Sequence, residues 1–234
     1  MNVYRHIAET AAAGKKLFAV LLDPEKTPLE GLDARTRGAD YVLVGGSTGG
    51  GSDRLVQALR QQTRMPVVLF PGSQEQFSAD ADALLFLSVM SSGNPEMLLH
   101  RQIRAARMVR ESGIESIPTG YILLDGGTES SVARATASRP IPQTDTDLIV
   151  DTAIAAELTG KQLIYLEAGS GAAMPIRTEL IHAVRRHVSV PIIAGGGIRT
   201  PEQMHAAYDA GADMVVVGNW LEQHPEQITV FTRP

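Results

Sequence analysis

Eight short runs of unbroken apolar residues recur along the chain, at 17–23, 41–45, 67–70, 83–89, 116–124, 162–167, 192–194 and 214–217. A strand with one wet face alternates apolar and polar residues; an unbroken run is buried on both faces, as in a parallel sheet. Helical patterning falls between the runs, at 53–62, 95–112, 147–158, 177–187 and 201–210. Pro95 suits a first turn and Gly113 a stop, while Thr200-Pro201 with Gln203 reads as an N-terminal cap. The order strand–helix–strand predicts an α/β fold, a closed (β/α)8 TIM barrel, spanning residues 1–234 as one domain.

An internal echo favours the closed ring. Gly38-Ala39-Asp40-Tyr41-Val42-Leu43-Val44-Gly45-Gly46 resembles Gly211-Ala212-Asp213-Met214-Val215-Val216-Val217-Gly218-Asn219. A doubly wound open sheet gives a similar alternation, but glycine exits at both the second and the last strand fit a barrel better. Two stretches break the pattern. Residues 71–82 are short and weakly periodic, so an irregular segment is expected to replace the third helix. Residues 125–147 form a long Gly/Ser/Thr/Pro-rich connection of the kind that serves as a lid.

The chain's 234 residues, 44% of them hydrophobic, are enough for one well-buried barrel. Net charge is −5 and the basic residues are scattered, which argues against nucleic acid as a partner. There is no cysteine, so disulfides and thiolate metal sites are excluded. The early apolar run is too short to span a bilayer and lacks a cleavage pattern. A soluble, cytoplasmic protein is expected, with at most peripheral membrane contact.

The chemistry is concentrated in three glycine-rich strand ends: Tyr165-Leu166-Glu167-Ala168-Gly169-Ser170-Gly171, Gly195-Gly196-Gly197 and Gly218-Asn219. A phosphate needs bare backbone N–H groups, and glycine lets the backbone come close. One glycine triplet alone is as often a plain turn. Three exits on the sixth, seventh and eighth strands match the phosphate-binding rim of a barrel. Glu167 could cap a helix or pair with Arg199; at the mouth it could instead take a proton from a substrate hydroxyl. Tyr165 lies two residues earlier on the same face, as a core aromatic or as a hydroxyl for substrate oxygen.

Asp23 ends the first strand before Pro24. It reads either as a turn aspartate or, with Ser47 beyond the second strand, as a Mg²⁺ ligand, since Mg²⁺ often takes one or two protein oxygens and leaves the rest to phosphates and water. Gly49-Gly50-Gly51 could hold a second phosphate or simply flex. The six histidines show no ligand spacing, and Arg185-Arg186 reads as an exposed helix face.

Seven segments together resemble the geranylgeranylglyceryl phosphate synthase family: Leu21-Leu22-Asp23-Pro24-Glu25-Lys26, Val44-Gly45-Gly46-Ser47, Gly120-Tyr121-Ile122-Leu123, Pro140-Ile141-Pro142, the run Tyr165–Gly171, Gly195-Gly196-Gly197-Ile198-Arg199 and Val217-Gly218-Asn219. The Tyr-Leu-Glu-Ala-Gly-Ser-Gly run is the most specific of them. The resemblance implies a prenyltransferase joining sn-glycerol 1-phosphate to geranylgeranyl diphosphate, with Glu167 and Tyr165 catalytic. It implies a glycerol phosphate site of Tyr165, Leu166, Glu167, Ala168, Gly169, Ser170, Gly171, Gly196, Gly197, Gly218 and Asn219, and Mg²⁺ on Asp23 and Ser47. Related heptaprenyl enzymes carry a lysine two residues before the metal aspartate, where this chain has Leu21, so the resemblance is to the archaeal-type branch. A homo-oligomer is expected, with the 95–112 helix as one surface able to pack on a partner. The tail is expected near residues 72–82, by Phe77, Ala79 and Ala81. The alternatives are a barrel isomerase or cyclase acting on a sugar phosphate, or a catalytically dead binding module.

Overall fold

All eight apolar runs become strands, because each can bury both faces only inside a ring. The computed structural model describes residues 2–46, 49–128, 134 and 139–232. The strands are β1 (Leu17–Leu22), β2 (Tyr41–Val44), β3 (Val67–Leu69), β4 (Ala83–Val89), β5 (Glu115–Leu123), β6 (Leu163–Glu167), β7 (Ile192–Gly195) and β8 (Met214–Val217). They close in sequence order into a parallel barrel, β1 pairing with both β2 and β8. The expected (β/α)8 architecture is therefore what the chain adopts.

Alternate residues of each strand face opposite ways. One set fills the barrel: Ala19, Tyr41, Leu43, Val68, Leu85, Ile117, Tyr121, Tyr165, Ile193 and Val216 belong to the inner cluster. The other set, with Val20, Val42, Leu69, Leu166, Ala194 and Val215, packs under the helices.

The echo in sequence has a physical cause. Asp40, before β2, accepts a hydrogen bond from the Phe18 amide at 2.8 Å, and Asp213, before β8, accepts one from the Ile192 amide at 2.9 Å. Asp82, before β4, does the same for Val67 at 2.8 Å. Each aspartate pins the start of the preceding strand, and so the register. At β6 the equivalent amide would be that of Pro118, which has none; Gln162 stands there and only donates to the Pro118 carbonyl, at 2.7 Å.

Helix α1 (Val3–Ala12), which the sequence reading did not anticipate, covers the amino-terminal end of the barrel. Val3 and Ile7 join the inner cluster, and Glu115 accepts hydrogen bonds from the amides of Val3 (2.6 Å) and Tyr4 (2.8 Å). A carboxylate suits that helix terminus.

The expected third helix is indeed missing: residues 71–82 carry only a 3₁₀ turn at Gln74–Gln76. The 95–112 helix starts as a π-type turn, Glu96–His100, and continues as an α-helix, Arg101–Ser112. Thr200 caps the Pro201–Asp209 helix by accepting from the Gln203 amide. Arg185 is no exposed ornament: it reaches Asp213 at 3.1 Å and also bonds the Val188 carbonyl. Among the described residues no helix is long and apolar enough to cross a membrane.

Candidate active site

The carboxyl ends of the strands surround one cavity of 810 Å³. Asp23 after β1, Gly45 and Gly46 after β2, Gly169, Ser170 and Gly171 after β6, Gly196 and Gly197 after β7, and Gly218 and Asn219 after β8 all line it, with Tyr165 and Glu167. Asp23 and Glu167 thus share one mouth. Leu166 and Ala168 do not reach the cavity; their side chains pack in the outer layer. Ser47 lies outside the described residues.

Glu167 is only 6% exposed. Its Oε1 accepts the Gly169 amide at 2.7 Å. Burial pushes its carboxyl up to about 7, against the opposing pull of that amide and of Tyr165. The Tyr165 hydroxyl is near enough to exert that pull, yet falls short of a formed hydrogen bond. Arg199, the alternative partner for Glu167, instead binds the Ala172 carbonyl at 2.7 Å and that of Ala173 at 3.4 Å. It ties the β6 exit to the β7 exit. Ser170 donates to Asn219 Oδ1 at 2.9 Å, which ties the β6 exit to β8. The glycine exits are therefore held as one cradle.

Across the mouth, Asp23 accepts from Lys26 Nζ at 2.6 Å and from the Glu25 amide at 3.0 Å. Its own amide donates to Glu222 Oε1 at 3.1 Å. Burial holds Glu222 above the ordinary carboxylate range, against the pull of Lys26. Gly46 leaves room for the Asp23 carboxylate, since a Cβ there would lie 3.0 Å from Oδ1. Gly49 packs against Glu25, whose carboxylate makes that spot unsuited to a second phosphate. Among the described residues no three His, Cys, Asp or Glu side chains gather as a metal cage.

From this polar end the cavity continues over apolar ground: Phe70, Pro71, Phe77, Leu84, Leu85 and Leu87, then Met97, Ala105, Met108 and Val109 along the Glu96–Ser112 helices. Phe77 is where the tail was expected. Ala79 and Ala81 are not: Ala79 faces solvent and Ala81 packs in the outer core. Gly72, Ser73, Gln74 and Phe77 do line the cavity, and the 96–112 segment forms the rest of that wall. Arg101 bonds the Gly72 carbonyl and so links the 96–112 segment to the stretch that stands in for the third helix. Of the proposed lid, residues 129–133 and 135–138 lie outside the described residues, while its base is pinned by a Leu124–Ile141 bridge and by Gln143 donating to the Asp125 carbonyl.

A family model, the PcrB family, matches residues 11–232. The chain belongs to the PcrB family. Among its relatives is the geranylgeranylglyceryl phosphate synthase of Zunongwangia profunda, 44% identical over 92% of this chain and 95% of that protein. The enzyme of the same name from Korarchaeum cryptofilum is 38% identical over 90% of this chain and 89% of that one. Among solved structures, (S)-3-O-geranylgeranylglyceryl phosphate synthase from Thermoplasma acidophilum, crystallised with its substrate sn-glycerol-1-phosphate, superposes with a TM-score of 0.93 at 33% identity, covering 99% of this chain and 96% of that one. This PcrB family member is thus similar to both bacterial and archaeal synthases.

Among the cavity residues that the sequence did not mark as site residues are Tyr121, Glu222 and Arg101. Tyr121 was visible only inside a matching segment. Glu222 sits in a short helix, Asn219–Gln223, with no local pattern to mark it. Arg101 lies inside the 95–112 helical stretch with no local pattern to mark it.

Proposed function

We propose that this PcrB family member is a geranylgeranylglyceryl phosphate synthase, a prenyltransferase that joins sn-glycerol 1-phosphate to geranylgeranyl diphosphate and releases diphosphate. One observation carries the reading: a single cavity runs from a glycine-lined rim to an apolar groove, with the raised carboxyl of Glu167 at the polar end. A sugar-phosphate isomerase shares the glycine rim but has no use for the groove.

The glycerol phosphate occupies the rim formed by Gly169, Ser170, Gly171, Gly196, Gly197, Gly218 and Asn219, where backbone N–H groups face the phosphate. The run from Tyr165 to Ala168 underlies it. Its fixed phosphate orients the 3-hydroxyl, which supplies rate by positioning. The hydroxyl oxygen attacks the allylic carbon as the carbon–diphosphate bond breaks, and the electron pair leaves with diphosphate. Glu167 takes the hydroxyl proton, work worth typically about 10²–10⁴-fold. An acid constant near neutrality suits that task.

The residues around Asp23 fit a hard divalent cation: one carboxylate at the rim, backed by Glu222, with diphosphate and water left to complete the shell. Asp23, with Ser47, would hold Mg²⁺ there. When bound, Mg²⁺ supplies charge neutralisation on the leaving diphosphate. Lys26, already on Asp23, adds a second positive charge to that corner. A cytoplasmic homo-oligomer with at most peripheral membrane contact completes the proposal.

The test is direct. Incubation with sn-glycerol 1-phosphate, Mg²⁺ and prenyl diphosphates of several lengths, followed by product mass, should give a C20 ether. Absence of any prenylated glycerol phosphate would remove this reading.

A further inference from the structure

The barrel interior holds three aromatic rings in the layer beside Glu167. Phe70 stacks on Tyr165, ring centroids 5.0 Å apart and planes 2° apart. Tyr121 leans on both, 5.6 Å from Tyr165 and 6.0 Å from Phe70. Strand pairing sets Tyr121 level with Tyr165, and Leu123 level with Glu167.

Packing alone asks for phenylalanine at these positions. Both phenol oxygens are fully buried with no hydrogen-bond partner among the described residues. A buried hydroxyl left unpaired is destabilising, so two in one layer of an active site point to a task. Neither oxygen is open to solvent, although both side chains line the cavity beside Glu167. The Tyr165 oxygen and Glu167 Oε2 share one corner: a Cβ on Gly195 would lie 2.6 Å from the first and 2.9 Å from the second.

We propose that Tyr121, Tyr165 and Glu167 form one hydrogen-bond relay with Tyr121 as its outer, positioning member. Once Glu167 is ionised, the Tyr165 hydroxyl donates to Oε2, and the Tyr121 hydroxyl donates to the Tyr165 oxygen. Each donor favours the charged carboxylate, which burial opposes. When Glu167 receives the substrate proton, both phenols keep their own and the relay slackens, as in the free protein. The inference rests on Glu167 being the base.

Electrostatics agrees with the geometry. Burial first, and then the Glu167 charge, holds both phenols well above their ordinary value. Other groups facing Glu167 are few. The β7 exit brings only glycines, and Arg199 is spent on the carbonyls of Ala172 and Ala173. Asp23 and Lys26 share the cavity but pair with each other.

The test replaces Tyr121 with the isosteric Phe. The Glu167 carboxyl is titrated by infrared difference spectroscopy, its band assigned by loss in Glu167→Gln. Tyr121→Phe should make Glu167 a roughly tenfold weaker acid. Tyr165→Phe should do at least as much, and the double variant no more than Tyr165→Phe alone, because Tyr121 acts through Tyr165. At pH 5, where Glu167 is protonated, Tyr121→Phe should melt no lower than wild type, having shed an unpaired hydroxyl. An unchanged Glu167 titration in Tyr121→Phe, or additive shifts in the double variant, would overturn the relay. The base assignment is read separately: wild-type turnover in Glu167→Gln would sink that role and leave the titration result standing.

Discussion

Gly196 stands with its backbone against the Glu167 carboxylate, so close that a Cβ on it would lie 2.4 Å from Oε1 and 2.8 Å from the Gly169 amide that Oε1 accepts. Its φ of +82° adds a second reason for glycine. The glycine triplet therefore shapes the proposed base as well as the proposed phosphate site.

Gly196→Ala should accordingly strike turnover and not only substrate affinity. The expected outcome is a fall in kcat of at least tenfold, with a stability loss on the order of 1–3 kcal/mol from the left-handed backbone and the clash. Steady-state kinetics and a thermal melt measure the two. A raised KM for glycerol phosphate at unchanged kcat would show that only the anion had been crowded.

Glu167→Gln should keep glycerol phosphate binding and lower turnover at least tenfold. Its stability should move the opposite way. The folded carboxyl sits at about 7, above its ordinary value of 4.5, so wild-type stability is full below pH 4.5 and declines as pH rises through 7. Gln has no charge to bury. The variant should therefore gain on wild type between those values, up to roughly 3 kcal/mol at pH 8. Denaturant melts at pH 4 and pH 8 check it; equal differences at both would refute the buried-carboxylate account.

The same ionisation should appear in catalysis. The acid limb of kcat/KM should bend near the Glu167 value of about 7, because the proton acceptor must be ionised. Loss of that bend in a Glu167→Asp enzyme of reduced but measurable rate would tie it to this position. A bend that persists unmoved belongs to another group.

Asp23→Asn should weaken Mg²⁺-dependent binding of a prenyl diphosphate by tenfold or more, since a neutral amide is a poor ligand for a hard cation. Calorimetric titrations with and without Mg²⁺ would separate this from a general loss of affinity. Equal affinities for both proteins would remove Asp23 from the metal site.

Ala105 lines the groove on the Arg101–Ser112 helix. Ala105→Phe should shorten the tail the enzyme accepts, lowering kcat/KM for C20 donors at least tenfold relative to C10 donors, as expected when a packed apolar space is filled. Parallel assays across donor lengths give the ratio; an unchanged ratio would place the tail elsewhere.

Most of the barrel was legible because its signals are local. Unbroken apolar runs such as Tyr41–Val44 and Met214–Val217 have no other stable home, and Asp40 and Asp213 repeat one hydrogen bond that fixes register. The glycine exits were legible for the same reason, since bare backbone at a strand end is written in the residue type. What stayed hidden depends on distance in space. Helix α1 lacks a pattern that says which end of a barrel it covers; only Glu115, more than a hundred residues on, tells. Tyr121 looked like any strand aromatic until Tyr165 and Glu167 stood beside it. The groove expected along residues 72–82 was right at Phe77 but not at Ala79 and Ala81, because small residues in a loop look like open space. The rest of the apolar lining is a helix reached only after β4 has returned the chain to the rim.

Among the described residues, α1 covers one end of the barrel and the cavity opens at the other. In the proposed reaction two reactants come in through that mouth, and a product longer than either must turn and leave the same way. Any residue that narrows that threshold taxes departure as much as arrival, so a variant there can be slow with every reacting group intact.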